Sequence, residues 1–257
     1  MKIAISGKGG VGKTMLAALL CKTYVDAGYS VIAIDADPDA NLAATLGFPN
    51  PERIVPLSEM KALVMERTGA QSGGYGSYFK LNPKVDDLPD KYCQEHNGIR
   101  LMVMGQVKKG GSGCYCPESV LLQALITHLL LARNEVVILD MEAGIEHLGR
   151  ATAKAVDELV VVVEPGRRSI ETAYRIDKLA NDIGLHNVGI VGNKIRNQSD
   201  RDFINSRLKN FNFLGFIPYD QAIIDADISD IPVTDSSQQV VAGVKDIFKV
   251  LMHHTKM

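Results

Sequence analysis

Short apolar runs recur along the chain, separated by longer stretches in which apolar residues return at helical spacing. This rhythm predicts strands alternating with helices. Residues 3–5, 30–34, 100–104, 135–139, 159–163, 188–191 and 213–217 read as buried strands. Residues 15–27, 57–68, 117–133, 169–183 and 237–252 read as helices, with Gly28 stopping the first and Pro117 opening the third. In the last helix Val240, Val241, Val244, Ile247, Phe248 and Leu251 form one apolar face. That face predicts docking on a sheet. A membrane-surface anchor is its other possible use, but the polar side is not strongly cationic. Alternation from end to end gives the fold class: α/β, a doubly wound, mostly parallel sheet with helices on both faces. One domain is expected over residues 1–257, with an irregular excursion at about 69–98 on the sheet's rim. His253 and His254 read as a frayed tail.

Composition narrows the class only a little. At 257 residues, 46% hydrophobic and 23% charged, the chain can bury a full core without disulfide staples. Its four cysteines are too few for a disulfide scaffold and suit a reducing interior. A net charge of −2 leaves no basic footprint for nucleic acid. The first strand starts at once, leaving no room for a signal peptide, and no run reaches the roughly 18 apolar residues of a membrane span. A cytoplasmic protein, with neither nucleic acid nor membrane as partner, is the expectation.

The chemistry starts with GKGGVGKT at residues 7–14, which fits the phosphate-binding loop G-x-x-x-x-G-K-[ST] between a strand and a helix. Backbone N–H groups over Gly9, Gly10, Val11, Gly12, Lys13, Thr14 and Met15 are expected to cradle phosphates of ATP or ADP. The positive end of the following helix faces them as well. Lys13 is expected to reach the β- and γ-phosphates, and the Thr14 hydroxyl to ligate Mg²⁺. The strand at 135–139 runs into Asp140, the Walker B pattern, so Asp140 is expected to hold Mg²⁺ through water. Asp35, Asp37 and Asp39 follow another strand end, on the side of the sheet where open α/β folds bind ligands. Without a ligand, the same residues read as an acidic turn before a helix that Asp39 or Asn41 caps.

A glycine run delivers Cys114 and Cys116 just before the helix that Pro117 opens. Thiols before a helix N-terminus have lowered pKa values, which favours metal ligation. One pair has an awkward bite for closing a complete site on its own. Two copies related by a two-fold axis would supply four thiolates for nickel or zinc. A redox pair and two incidental exposed cysteines are the other readings. Cys93 is assigned nothing, and His147 reads as structural rather than as a ligand.

KGGVGKT, with Lys8 after the first glycine, resembles the deviant Walker A P-loop ATPases, which include MinD, ParA, the nitrogenase iron protein and metal-insertion ATPases. By that resemblance Lys8 reaches across a nucleotide-bound homodimer to the partner's phosphates, and Asp37 positions the attacking water with support from Asp35 and Asp39. It further implies that the Gly144 amide senses the γ-phosphate. Asn193, with Lys194, contacts the adenine edge, and Pro218-Tyr219-Asp220 lines the base pocket. KGGVGKT, DADPDAN, GCYCPE and DMEAGIEHLGR together closely resemble the CooC-type ATPases that mature carbon monoxide dehydrogenase, over essentially the whole chain. Relatives serving acetyl-CoA synthase share the pattern. The resemblance implies an ATP-dependent nickel-insertion factor with metal held between Cys114 and Cys116 of both subunits, and such a nickel enzyme as client. Two other classes remain open. One is a MinD- or ParA-like positioning ATPase. The other is an electron-transfer ATPase like the nitrogenase iron protein, whose cluster cysteines are well separated in sequence, unlike these.

Overall fold

In a computed structural model, residues 1–70, 79–105, 117–145, 148–229, 231–233 and 236–254 are described. The strands are β1 (Lys2–Gly7), β2 (Val31–Ala36), β3 (Gln94–His96), β4 (Ile99–Val103), β5 (Val136–Met141), β6 (Glu158–Val163), β7 (Val188–Ile195) and β8 (Asn212–Pro218). They form one eight-stranded sheet in the order β3-β4-β2-β5-β1-β6-β7-β8. Every neighbouring pair is parallel except β3–β4. Each position of β1, β2, β5 and β6 is buried, as central strands covered on both faces require.

The helices are α1 (Lys13–Asp26), α2 (Leu42–Thr45), α3 (Lys61–Thr68), α4 (Leu88–Tyr92), α5 (Pro117–Ala132), α6 (Arg150–Ala153), α7 (Arg167–Ile183), α8 (Gln198–Arg207), α9 (Gln221–Ile228) and α10 (Gln238–His254). Side chains alternate along the strands between two cores. Ile3 and Ile5 face one core with Leu16, Leu20 and Tyr24 of α1 and Val240, Val244, Ile247 and Leu251 of α10. Ala4, Ile32 and Ile34 face the other with Leu121, Leu125 and Leu129 of α5 and Ile170 and Ile176 of α7. Helices therefore cover both faces, as the alternation implied. Each fully buried Val, Leu or Ile is worth about 1.5–3 kcal/mol, so α10 is bound to the sheet by its whole apolar face. None of the described helices is long and apolar enough to cross a membrane.

Several local expectations need correcting. The helix expected over 57–68 is interrupted at Met60: a 3₁₀ turn, Leu57–Glu59, precedes α3. Ser58 donates its N–H to the Met104 carbonyl (3.1 Å), so this turn is stitched to the end of β4 instead of continuing a helix. The later part of the irregular stretch contains α4 and a hairpin. Asn97 (φ 49°) and Gly98 (φ 75°) take the left-handed turn that joins β3 to β4. Helices α6, α8 and α9 are not among those expected from the sequence, although Asn197 caps α8 through the Asp200 N–H (3.1 Å). His253 and His254 are the last turn of α10, not a tail, and the His254 ring lies 3.3 Å from the buried Glu158 carboxylate. Burial raises the pKa of that carboxyl.

Candidate nucleotide-binding site

Because the strands are parallel, β1, β2, β5, β6, β7 and β8 end along one edge of the sheet, and each end contributes to the site. The loop after β1 needs its glycines for different reasons. A Cβ on Gly7 would stand 2.5 Å from the Val162 carbonyl oxygen. Gly12 holds φ 93° and lies against the Asn193 amide, leaving no room for a side chain. Gly9 and Gly10 are exposed at the tip. Helix α1 then begins at Lys13 with no side-chain cap and no acidic residue in its first turn, so its N-terminal end is open to an anion. Lys13 is buried, while Thr14 and Met15 are half-buried on the same turn.

Two carboxylates face each other beside this turn. Asp35 and Asp140 are register partners on β2 and β5. Asp35 is fully buried and accepts the backbone N–H groups of Leu42 (2.9 Å) and Asp37 (3.3 Å), so it holds the loop that leads into α2. Burial still pushes its pKa up to about 6. In that loop Asp37 is half-buried and its Oδ1 accepts the Asp39 N–H (3.0 Å). Asn41 has the N-cap position of α2, but its side chain donates to the Asp39 carbonyl (2.7 Å) and caps no helix N–H; the carboxylate of Asp35 serves instead.

Asp140 is 1% exposed, and no hydrogen bond reaches either of its carboxylate oxygens. Burial raises its pKa to about 7; the nearby Thr14 hydroxyl and Lys13 pull it down, while Asp35 and Asp37 push it up. A buried anion with orphaned oxygens, beside a hydroxyl and a lysine, fits a divalent cation. Asp140 and Thr14 are the residues that would hold Mg²⁺. Behind them the Ser6 hydroxyl donates to the Gly144 carbonyl (2.8 Å) and lies 3.1 Å from that of Glu142, anchoring the turn after β5.

A pH dependence follows. In the folded, metal-free protein both carboxyls bind protons more tightly than in the unfolded chain. Stability from this source is therefore present below about pH 4, the ordinary Asp range, and is lost as pH rises towards the folded values of about 6 and 7. The melting temperature without ligand is expected to fall across that window. The increment given by Mg²⁺ with ADP is expected to be larger at pH 8 than at pH 5, as thermal melts will read.

The other half of the edge carries Glu164, Asn193, Lys194 and Pro218. Asn193 is buried; its amide donates to the Val11 carbonyl (2.7 Å) and accepts the Lys194 N–H (2.8 Å). It thus braces the phosphate loop from β7. Lys194 donates to the Gly10 carbonyl (2.6 Å), and Lys8 pairs with Glu164 (3.2 Å). Pro218 ends β8; Tyr219 donates its N–H to Ile195 (2.9 Å), and the Arg196 guanidinium lies 5.1 Å from its ring centroid. Ser6 and Glu164 were not singled out from the sequence. Ser6 has no signal in the sequence, whereas Glu164 sits at a strand end before Pro-Gly, on the side of the sheet where open α/β folds bind ligands.

Cys114, Cys116 and His147 lie outside the described residues. Among the described residues no group of three or more His, Cys, Asp or Glu side chains is placed to hold a metal ion. Cys93 is half-buried, and burial raises its thiol pKa to about 11.

A glycine loop closing β1 onto α1, with buried carboxylates at the ends of β2 and β5, defines a P-loop nucleotide-binding protein. The chain belongs to the CobQ/CobB/MinD/ParA nucleotide-binding family, whose model matches residues 2–233, and within it to the CooC type. It is 49% identical to the carbon monoxide dehydrogenase accessory protein CooC of Rhodospirillum rubrum, over 92% of this chain and 90% of that protein. An uncharacterized ATP-binding protein of Methanocaldococcus jannaschii is 47% identical, over 100% of this chain and 98% of its own. The fold is shared with MinD in the Aquifex aeolicus MinC:MinD cell division complex (TM-score 0.71, 21% identity, 98% of this chain and 96% of that one). A putative plasmid partition protein of Borrelia burgdorferi bound to AMPPNP has the same fold (TM-score 0.71, 15% identity, 100% and 99%).

Proposed function

We propose that this chain is an ATPase that serves as an accessory factor for a nickel enzyme, supporting nickel insertion into carbon monoxide dehydrogenase or acetyl-CoA synthase. The observation that carries the ATPase reading is the orphaned, buried Asp140 carboxylate beside Thr14 and Lys13 at the foot of the phosphate loop. The accessory role is supported by the identity to CooC through most of both chains. Mg²⁺, when bound, would supply charge to the phosphates. Lys13 and the loop amides would hold them, and Asp37 would orient a water for in-line attack. Asn193, Lys194 and Pro218 would bound the base end. Lys8 would act across a nucleotide-dependent homodimer.

Nickel, or zinc at rest, is the cargo. Each subunit offers Cys114 and Cys116, and four-coordinate soft-metal sites want four such donors. One metal per dimer is therefore expected, and ATP binding at the same two-fold interface would alter the thiolate cage. Metal then shifts nucleotide affinity in return. The test is metal titration of reduced wild type against the Cys114→Ser/Cys116→Ser variant, with mass and metal content measured together. One metal per dimer that disappears in the variant supports the reading. One metal per monomer, or binding that survives the loss of both thiols, ends it.

A further inference from the structure

Glu164 stands where β6 ends and Pro165-Gly166 turns into α7, on the strand next to β1. Its backbone is fixed: the N–H donates to the hydroxyl of buried Ser169 (3.1 Å). One carboxylate oxygen takes the Lys8 ammonium at 3.2 Å, and the other lies 3.4 Å from that of Lys194. Lys194 is itself tied to the loop tip through the Gly10 carbonyl (2.6 Å). It holds φ 58°, a backbone conformation that a residue with a Cβ seldom adopts. A single carboxylate therefore bridges two lysines at the mouth of the phosphate loop, one from its tip and one from the end of β7.

We infer that Glu164 is a positioning residue that parks Lys8, offsetting part of the positive charge of Lys8 and Lys194 in the ligand-free protein and competing with phosphate for them. This rests on the nucleotide-site reading and adds to it a competitor built into the same subunit. The competition is winnable. The side chains of Lys8 and Glu164 are 36% and 24% exposed, so the pair is partly screened by water and salt. Even with Mg²⁺ bound, ATP keeps a net charge of about −2 against the single charge of one carboxylate, and so attracts the same ammonium more strongly at equal distance. Lys8 is thus held in a defined place when no phosphate is present and is released when one arrives.

The test is Glu164→Gln, which keeps the shape and removes the charge. Calorimetric titration with the Mg²⁺ complex of a non-hydrolysable ATP analogue, the ligand state in which Lys8 would meet a phosphate, at low and high ionic strength is the measurement. Affinity at low salt is expected to rise about threefold to tenfold, the worth of one or two partly exposed ion pairs, and to converge on wild type at high salt. In a Lys8→Ala background most of that gain should vanish, and Glu164→Asp, which retains the charge, should stay close to wild type. Glu164→Ala repeats the measurement should the glutamine disturb the loop, and melting curves verify folding. A folded Glu164→Gln variant with unchanged or weaker affinity overturns the inference, as does a gain that persists without Lys8. A wild type with no nucleotide affinity takes down both readings, whereas a binding wild type with an unresponsive Glu164→Gln variant takes down this one alone.

Discussion

Lys13→Ala is expected to weaken MgATP binding by about 100-fold or more, measured by calorimetry or equilibrium dialysis. Lys13 is 7% exposed at the first position of α1, so most of its side chain is already held in place before any ligand arrives. Contacts from such a cation to two phosphates are charge-assisted hydrogen bonds, each worth about 1.5–3 kcal/mol, and alanine removes both. The fold should survive, because Lys13 covers no apolar core and its own burial is a cost to the ligand-free protein. Lys13 also lowers the pKa of Asp140, so in the variant that carboxyl should hold its proton to higher pH. Unchanged MgATP affinity in a folded variant would sink the assignment of the phosphate loop.

The second large effect is on turnover. Asp37→Ala is expected to bind MgATP nearly as wild type does and to hydrolyse it about 100-fold more slowly, the scale of loss when a reacting group is misplaced. Alanine also deletes the acceptor for the Asp39 N–H, so on its own it mixes a loop effect with a chemical one. Asp37→Asn keeps an oxygen for that bond and loses only the charge. Hydrolysis that is slow in both variants assigns Asp37 to the water. Hydrolysis at the parent rate in Asp37→Asn reduces Asp37 to a turn residue. Single-turnover measurements separate this from a change in product release.

The order of elements and the phosphate loop were legible because each is written in local pattern. An apolar run followed by glycines and a lysine has few other uses, and strand–helix alternation leaves little choice of fold. What escaped reading depends on contacts between distant residues. Met60 ends the 3₁₀ turn because Ser58 is bonded to β4, which no window around residue 60 contains. Asn193 was read for the base, yet its amide also braces Val11, 182 positions away. Asp35 caps α2 from the preceding strand, across a loop from the expected caps Asp39 and Asn41. The hairpin at Asn97-Gly98 carries an Asn-Gly turn signal, but β3 is only three residues long and too short to show a period. The Lys8–Glu164 pair joins loops at two strand ends and has no sequence signature at all.

The two margins of the sheet bear on how copies of this chain can meet. At one margin stands β3, three residues long, with Gln94 and Glu95 facing solvent. At the other, β8 pairs with β7 through register shifts at Ile190/Val191 and Gly192/Ile195, and it ends in proline. A short polar strand and an irregular one are poor templates for a further strand, and this is how β proteins guard against open-ended stacking. Continuous growth through backbone pairing is closed off on both sides. Contact between copies is left to the outer faces of the helices and to the loops at the strand ends.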